Sequence, residues 1–207
     1  LIPISRCRPK GSSKRKVIKL FGFEDPKEIT KFRGQKYKIV KENATEGESS
    51  LQIIFPAYRP DIKFWQWFTC RLPERAPHDW SEFRSISFGV YNPMNEKQEI
   101  GLRLPRAKQV IYEPIAPGEK KTVSIPLWPL GVPEKVLKNI RAFDFGVRLH
   151  IFRIPHETVF YLDNVCLRRK SILDKEAVKL NILKPLFRGQ IYSSHPLKEI
   201  VANFHLD

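Results

Sequence analysis

Between residues 50 and 167 the chain repeatedly places an apolar side chain at every second position. Leu51, Ile53 and Phe55 alternate with Ser50, Gln52 and Ile54, and Ile86, Phe88 and Val90 with Ser85, Ser87 and Gly89. Ile100, Leu102 and Leu104 flank Gly101 and Arg103, and Val123, Ile125 and Leu127 follow the same rule. The longest run sets Phe143, Phe145, Val147, Leu149 and Ile151 against Asp144, Gly146, Arg148 and His150. A period of two buries one face of a strand and leaves the other wet, so each run predicts a half-buried β-strand. Turn residues separate the runs: Asn92-Pro93, Pro117-Gly118, Gly131 with Pro133, and Pro155. Only residues 134–140 (EKVLKNI) read as a short helix. The chain has 17 prolines, which suit loops and edge strands better than helices. Many short strands with regular turns predict an all-β protein, an antiparallel sandwich or barrel. No internal repeat is present.

Composition narrows the class. At 207 residues the chain can form one large or two small domains. Its 42% hydrophobic and 29% charged residues are ordinary globular values and exclude wholesale disorder. No run of about 18 apolar residues exists, which excludes a membrane-spanning helix. Leu1–Ser5 lacks the apolar core of a signal peptide, and the absent initiator Met reads as a processed or excised chain. Cys7, Cys70 and Cys166 are too few and too far apart for a disulfide framework or a thiolate zinc site. One bridge with a spare thiol and three buried thiols both fit.

The formal net charge of +15 is unevenly spread. Residues 1–20 carry seven basic and no acidic side chains, around Gly11-Ser12-Ser13-Lys14-Arg15-Lys16, which predicts a basic flexible arm or linker. Residues 21–167 carry 22 basic against 18 acidic side chains, so the body itself is only mildly basic. A basic arm is more often solvated than clamped on a phosphate backbone, and nucleic acid is not the expected partner. Catalysis finds little support either. The five histidines are scattered, and no G-x-S-x-G or H-E-x-x-H spacing occurs.

The order of certain segments resembles a known family. Phe23-Glu24 opens a first strand, and residues 43–53 (NATEGESSLQI) match a T-x-G-x-x-S-L-x-I turn and strand. Residues 79–93 (DWSEFRSISFGVYNP) match D-W-S-x-Y-x-x-L-x-F-x-V-Y-N-P, and residues 158–167 (TVFYLDNVCL) match a closing F-Y-L-D-N-V-x-L strand. Together they resemble the galactose-binding-like jelly-roll carbohydrate-binding modules attached to glycoside hydrolases. The resemblance spans about residues 20–168 and implies a jelly-roll β-sandwich over 21–168. Residues 169–207 are then a linker, with residues 183–192 (LKPLFRGQIY) resembling the first strand of a following domain.

The resemblance also implies a structural calcium ion, held between the acidic residue of the first strand, the turn before the second strand and the aspartate of the closing strand. Glu24, Glu46, Glu48 and Asp163 stand at those positions. Calcium takes six to eight hard oxygens at about 2.3–2.6 Å, and carboxylates suit it. The alternative is that Glu24 or Asp163 caps a turn or pairs with a lysine, Lys27 and Lys41 being nearby in sequence.

A sugar ring stacks its C–H face on an aromatic ring while its hydroxyls require directed hydrogen bonds. Phe64-Trp65-Gln66-Trp67-Phe68 is the densest aromatic run. As a strand it puts Trp65 and Trp67 on one face, and Phe64 and Phe68 on the other. Trp65 and Trp67 are the candidate platform, although tryptophan is more often core. Arg103 and Arg148 point outward by parity and are candidate hydroxyl or anion contacts, with Tyr91 and Trp128 weaker candidates. Trp80 is expected to plug the core. The expected function is a non-catalytic module of a larger multidomain protein, binding polysaccharide or oligosaccharide, with anionic polysaccharide favoured by the positive balance. Alternatives are a structural interdomain jelly-roll module that binds no sugar, and a basic adaptor for nucleic acid or anionic surfaces. The family resemblance implies an extracellular or periplasmic setting.

Overall fold

The computed structural model describes residues 17–60, 67–148 and 154–170. The segments 1–16, 61–66, 149–153 and 171–207 lie outside the described residues, and with them Trp65, Cys7 and the stretch read as a following domain. Eleven strands appear among the described residues: β1 (Val17–Phe21), β2 (Phe32–Arg33), β3 (Lys36–Val40), β4 (Ser50–Phe55), β5 (Trp67–Arg71), β6 (Phe83–Tyr91), β7 (Gln98–Arg103), β8 (Ile111–Ile115), β9 (Lys120–Pro126), β10 (Ala142–Gly146) and β11 (Thr158–Arg169). The short helix expected at 134–140 is one turn, Glu134–Leu137.

The strands form two antiparallel sheets packed as a sandwich. One has the order β3-β4-β11-β6-β9, with β1 also pairing on β11; the other has the order β2-β5-β10-β7-β8. Alternation in the sequence becomes two facing apolar layers. Leu51, Ile53, Ile86, Phe88, Val90, Phe160 and Leu162 from the first sheet meet Phe68, Ile100, Leu102, Phe143 and Phe145 from the second, each 1% exposed or less. Phe88 and Phe145 touch across the sandwich with ring centres 4.8 Å apart. Trp80 closes one end of this core, fully buried, its indole N–H donating to the Pro77 carbonyl at 2.9 Å.

One expectation changes, and one choice that the sequence left open narrows. The basic arm assigned to 1–20 yields at Val17, where β1 begins and pairs with β11. Ile18, Leu20 and Phe21 bury apolar surface there, which outweighs the local charge. Cys70 and Cys166 are both buried free thiols.

The strand β11 organises the first sheet. Its first half (158–162) pairs with β4 and its second half (165–168) with β1, while β6 runs along its other side. Asp163 and Asn164 sit where β11 passes from one partner to the next. The β6 ladder breaks register there, and Asn164 takes φ 47°, a left-handed conformation that asparagine tolerates.

Candidate functional site

The outer face of the five-stranded sheet gathers the chemistry. On β5, Phe68 and Cys70 turn into the core, so Trp67 and Thr69 face outward. Register carries that face across the sheet: Thr69 lies opposite Asp144, which lies opposite Arg103. One step along, Trp67 lies opposite Gly146, Gly146 opposite Gly101, and Gly101 opposite Tyr112. Three strand spacings of about 4.8 Å put the Trp67 and Tyr112 backbones about 14 Å apart.

Two similar groups flank the glycine pair. In the first, the Arg103 guanidinium lies over the Trp67 ring, 4.1 Å from its centre, and donates through Nε and Nη2 to one Asp144 oxygen at 2.9 and 2.8 Å. Thr69 donates its hydroxyl to the other Asp144 oxygen at 2.7 Å. In the second, Arg148 lies 4.1 Å over the Tyr112 ring and pairs through Nε with Glu99 at 3.3 Å. Each arginine therefore has an aromatic face beneath it and a carboxylate beside it, an arrangement that fixes its planar fork of donors.

Gly101 explains why Tyr112 lies flat. A β-carbon on Gly101 would come within 2.6 Å of the Tyr112 ring, so only glycine admits the ring against the sheet. The Tyr112 hydroxyl is buried and finds no hydrogen-bond partner among the described residues; burial also pushes it above the ordinary tyrosine range, with Arg148 opposing. Glu99 Oε2 is also buried, and its contact with Arg148 at 3.3 Å is an ion pair outside hydrogen-bond geometry. Beside this group opens a cleft of about 300 Å³ lined by Glu96, Gln98, Glu99, Val147, Arg148 and Pro155. Glu99 and Arg148 belong to both, so the cleft continues the outer face.

The candidates from sequence therefore divide. Trp67, Arg103 and Arg148 come together on one face, and Trp65 lies outside the described residues. Tyr91 is elsewhere: it stands on the outer face of the six-stranded sheet, beside Tyr161 at 5.8 Å between ring centres. Trp128, 45% exposed, follows β9 of that same sheet. Sequence reasoning missed Tyr112, Asp144, Glu99 and Thr69. The lone signal was Gly101 inside an alternating strand, which marks a close approach without naming what approaches.

The four carboxylates expected around calcium are also accounted for. Asp163, 1% exposed, accepts from Thr45 N at 2.8 Å, Thr45 Oγ1 at 3.0 Å and Glu46 N at 2.8 Å on one oxygen, and from Asn164 N at 2.6 Å on the other. Three donors thus share one oxygen and a fourth takes one acceptor site on the other. Glu24 accepts from the Glu48 and Ser49 amides at 2.9 and 3.1 Å, and its oxygen rests where a β-carbon on Gly47 (φ 82°) would lie. Glu46 holds Lys19 at 2.9 Å and Asn164 Nδ2 at 2.6 Å, and Glu48 is exposed. Among the described residues no three His, Cys, Asp or Glu group as metal ligands. Around the expected calcium set Glu24, Glu46, Glu48 and Asp163, the 45–49 turn presents N–H groups to the Glu24 and Asp163 carboxylates.

A family 11 carbohydrate-binding module from Clostridium thermocellum, solved with a beta-1,3-1,4-mixed-linked tetrasaccharide, superposes with a TM-score of 0.53 at 15% identity, over 74% of this chain and 95% of that one. The fold is a jelly-roll β-sandwich, as in that module. An exo-beta-agarase matches with a TM-score of 0.55 at 16% identity, over 91% of this chain but 30% of its own. The agarase AgWH50C matches with a TM-score of 0.51 at 13% identity, again over 25% of its own length. The jelly roll thus resembles a module solved on its own and one part of each of two larger agarase chains. No protein-family model and no curated protein sequence matches the chain.

Proposed function

We propose that the chain is a non-catalytic carbohydrate-binding module that takes an uncharged oligosaccharide, or a stretch of polysaccharide, across the outer face of its five-stranded sheet. The observation that supports this reading is the pair of aromatic–arginine–carboxylate groups on either side of Gly101 and Gly146. Ring edges and glycine backbone supply apolar contact, while fixed guanidinium donors and carboxylate acceptors suit hydroxyls. The buried Tyr112 hydroxyl adds to the case, because a ligand hydroxyl would supply the hydrogen-bond partner it lacks. The overall positive charge made anionic polysaccharide the expectation. Arg103 and Arg148 are each neutralised by a carboxylate on a neighbouring strand, which favours a neutral ligand instead.

A second reading, the interdomain module that binds no sugar, is favoured by the guanidinium lying over each aromatic face. The agarase likeness is compatible with either, with neighbouring domains as partners, and an extracellular or periplasmic setting accompanies both. Affinity electrophoresis through gels of neutral and sulfated polysaccharides separates them. Retardation in a neutral glycan that is lost in Trp67→Ala and Tyr112→Ala supports the first reading. Retardation in sulfated gels alone, abolished by salt, refutes the neutral ligand; none in any gel leaves the interdomain reading.

A further inference from the structure

The carboxylates between β1, β11 and the 45–49 turn surround a positive charge that belongs to the chain itself. Lys19 lies on β1 opposite Cys166 of β11, and its ammonium is 2.9 Å from Glu46 Oε1. The second Glu46 oxygen accepts from Asn164 Nδ2, and the neighbouring Asp163 accepts from the backbone of Glu46 itself. Lys19, Glu46, Asn164, Asp163 and Thr45 therefore form one connected network at the point where β11 changes partner. The Glu46 hydrogen bond holds the Lys19 ammonium above the ordinary lysine range.

We propose that Lys19 is the structural cation of this clasp, and that the sandwich keeps its stability without a divalent metal ion. A peptide unit that aims its N–H at a carboxylate aims its carbonyl the opposite way. Thr45, Glu46, Glu48 and Ser49 all present N–H groups to Asp163 or Glu24, so carbonyl oxygens that a calcium ion would need face elsewhere. Binding an ion at the Asp163 oxygen that faces the turn would first break the three hydrogen bonds it accepts, and would compete with the Lys19 ammonium at Glu46. The inference stands independently of sugar binding, since the clasp is built on the six-stranded sheet.

Thermal melting tests it directly. A structural ion present at about a hundredfold above its dissociation constant would raise the Tm of a chain this size by about 5–10 °C. The purified full chain should instead melt within about 1 °C of the same temperature in excess chelator and in excess calcium chloride, as expected where no native-state ligand is bound. Lys19→Met should lower Tm by about 1–3 °C in both media, the range of a partly exposed ion pair. Lys19→Met with Glu46→Gln should lower it by less than the sum of the two single losses, because both disturb the same Lys19–Glu46 contact. A calcium-dependent rise in the wild type overturns the proposal. So does a Lys19→Met variant that melts unchanged, or a double variant whose losses add.

Discussion

Adjacent residues Trp67 and Phe68 should respond to truncation in opposite ways, although each is a large aromatic on the same strand. Phe68 is fully buried, with ring centres 5.5 Å from Phe32 and 5.2 Å from Tyr37. Removing a buried phenylalanine costs about 3–5 kcal/mol, because the transfer energy is lost and a cavity remains. At about 2–4 °C per kcal/mol, Phe68→Ala should lower Tm by about 6–20 °C. Trp67 instead stands partly exposed beneath Arg103 on the outer face. Trp67→Ala forfeits a cation–π contact of about 0.5–1 kcal/mol and partial packing, and no core cavity opens. Its Tm should fall by about 2–5 °C. Differential scanning calorimetry on both variants measures the contrast. A Trp67→Ala loss equal to that of Phe68→Ala would place the indole in the core and remove one end of the proposed binding face.

Two further perturbations probe separate parts of the structure. Gly101→Ala drives a methyl into the Tyr112 ring, so the ring must lift from the sheet; the expected cost is about 1–3 kcal/mol in urea unfolding, with weakened glycan binding, and a variant unchanged in both refutes the packing. The Glu48 and Ser49 amides hold the Glu24 carboxyl below its ordinary range. Its contribution is therefore present above the unfolded value and fades as pH falls through the lower folded one. Glu24→Gln should flatten the loss of Tm below about pH 4.3, the ordinary glutamate value, and an acid limb identical to wild type contradicts that sign.

Period-two alternation carried the strand positions and, through parity, the outward direction of Arg103 and Arg148, while it set Trp67 and Phe68 on opposite faces without deciding which was core. It failed where a different signal dominated locally. The residues of β1 sit at the end of a lysine- and arginine-rich stretch, and there charge masked a short apolar pattern whose lysine serves the clasp. In β3, Tyr37 and Ile39 pack on the core between exposed lysines, an alternation too brief to stand out from its charged surroundings. Asp144 and Tyr112 were invisible as site residues for another reason. Their value lies in facing Arg103 and Gly101 across strands, and register is set by the whole sheet. The carboxylates at Glu24 and Asp163 were visible as residue types, but the direction of the turn's N–H groups, which decides between a metal and a hydrogen-bonded clasp, is conformational.

The central claim is that one sheet face, spanning Trp67 to Tyr112, holds the sugar. Isothermal titration with the best-retained neutral oligosaccharide, against the wild type and Trp67→Ala, Tyr112→Ala and Tyr91→Ala, tests it most directly. Losses of about tenfold in affinity, equivalent to about 1.4 kcal/mol, are expected for Trp67→Ala and Tyr112→Ala, with Tyr91→Ala binding as the wild type does. Binding that survives both outer-face substitutions and is lost in Tyr91→Ala would move the site to the opposite sheet and contradict the account.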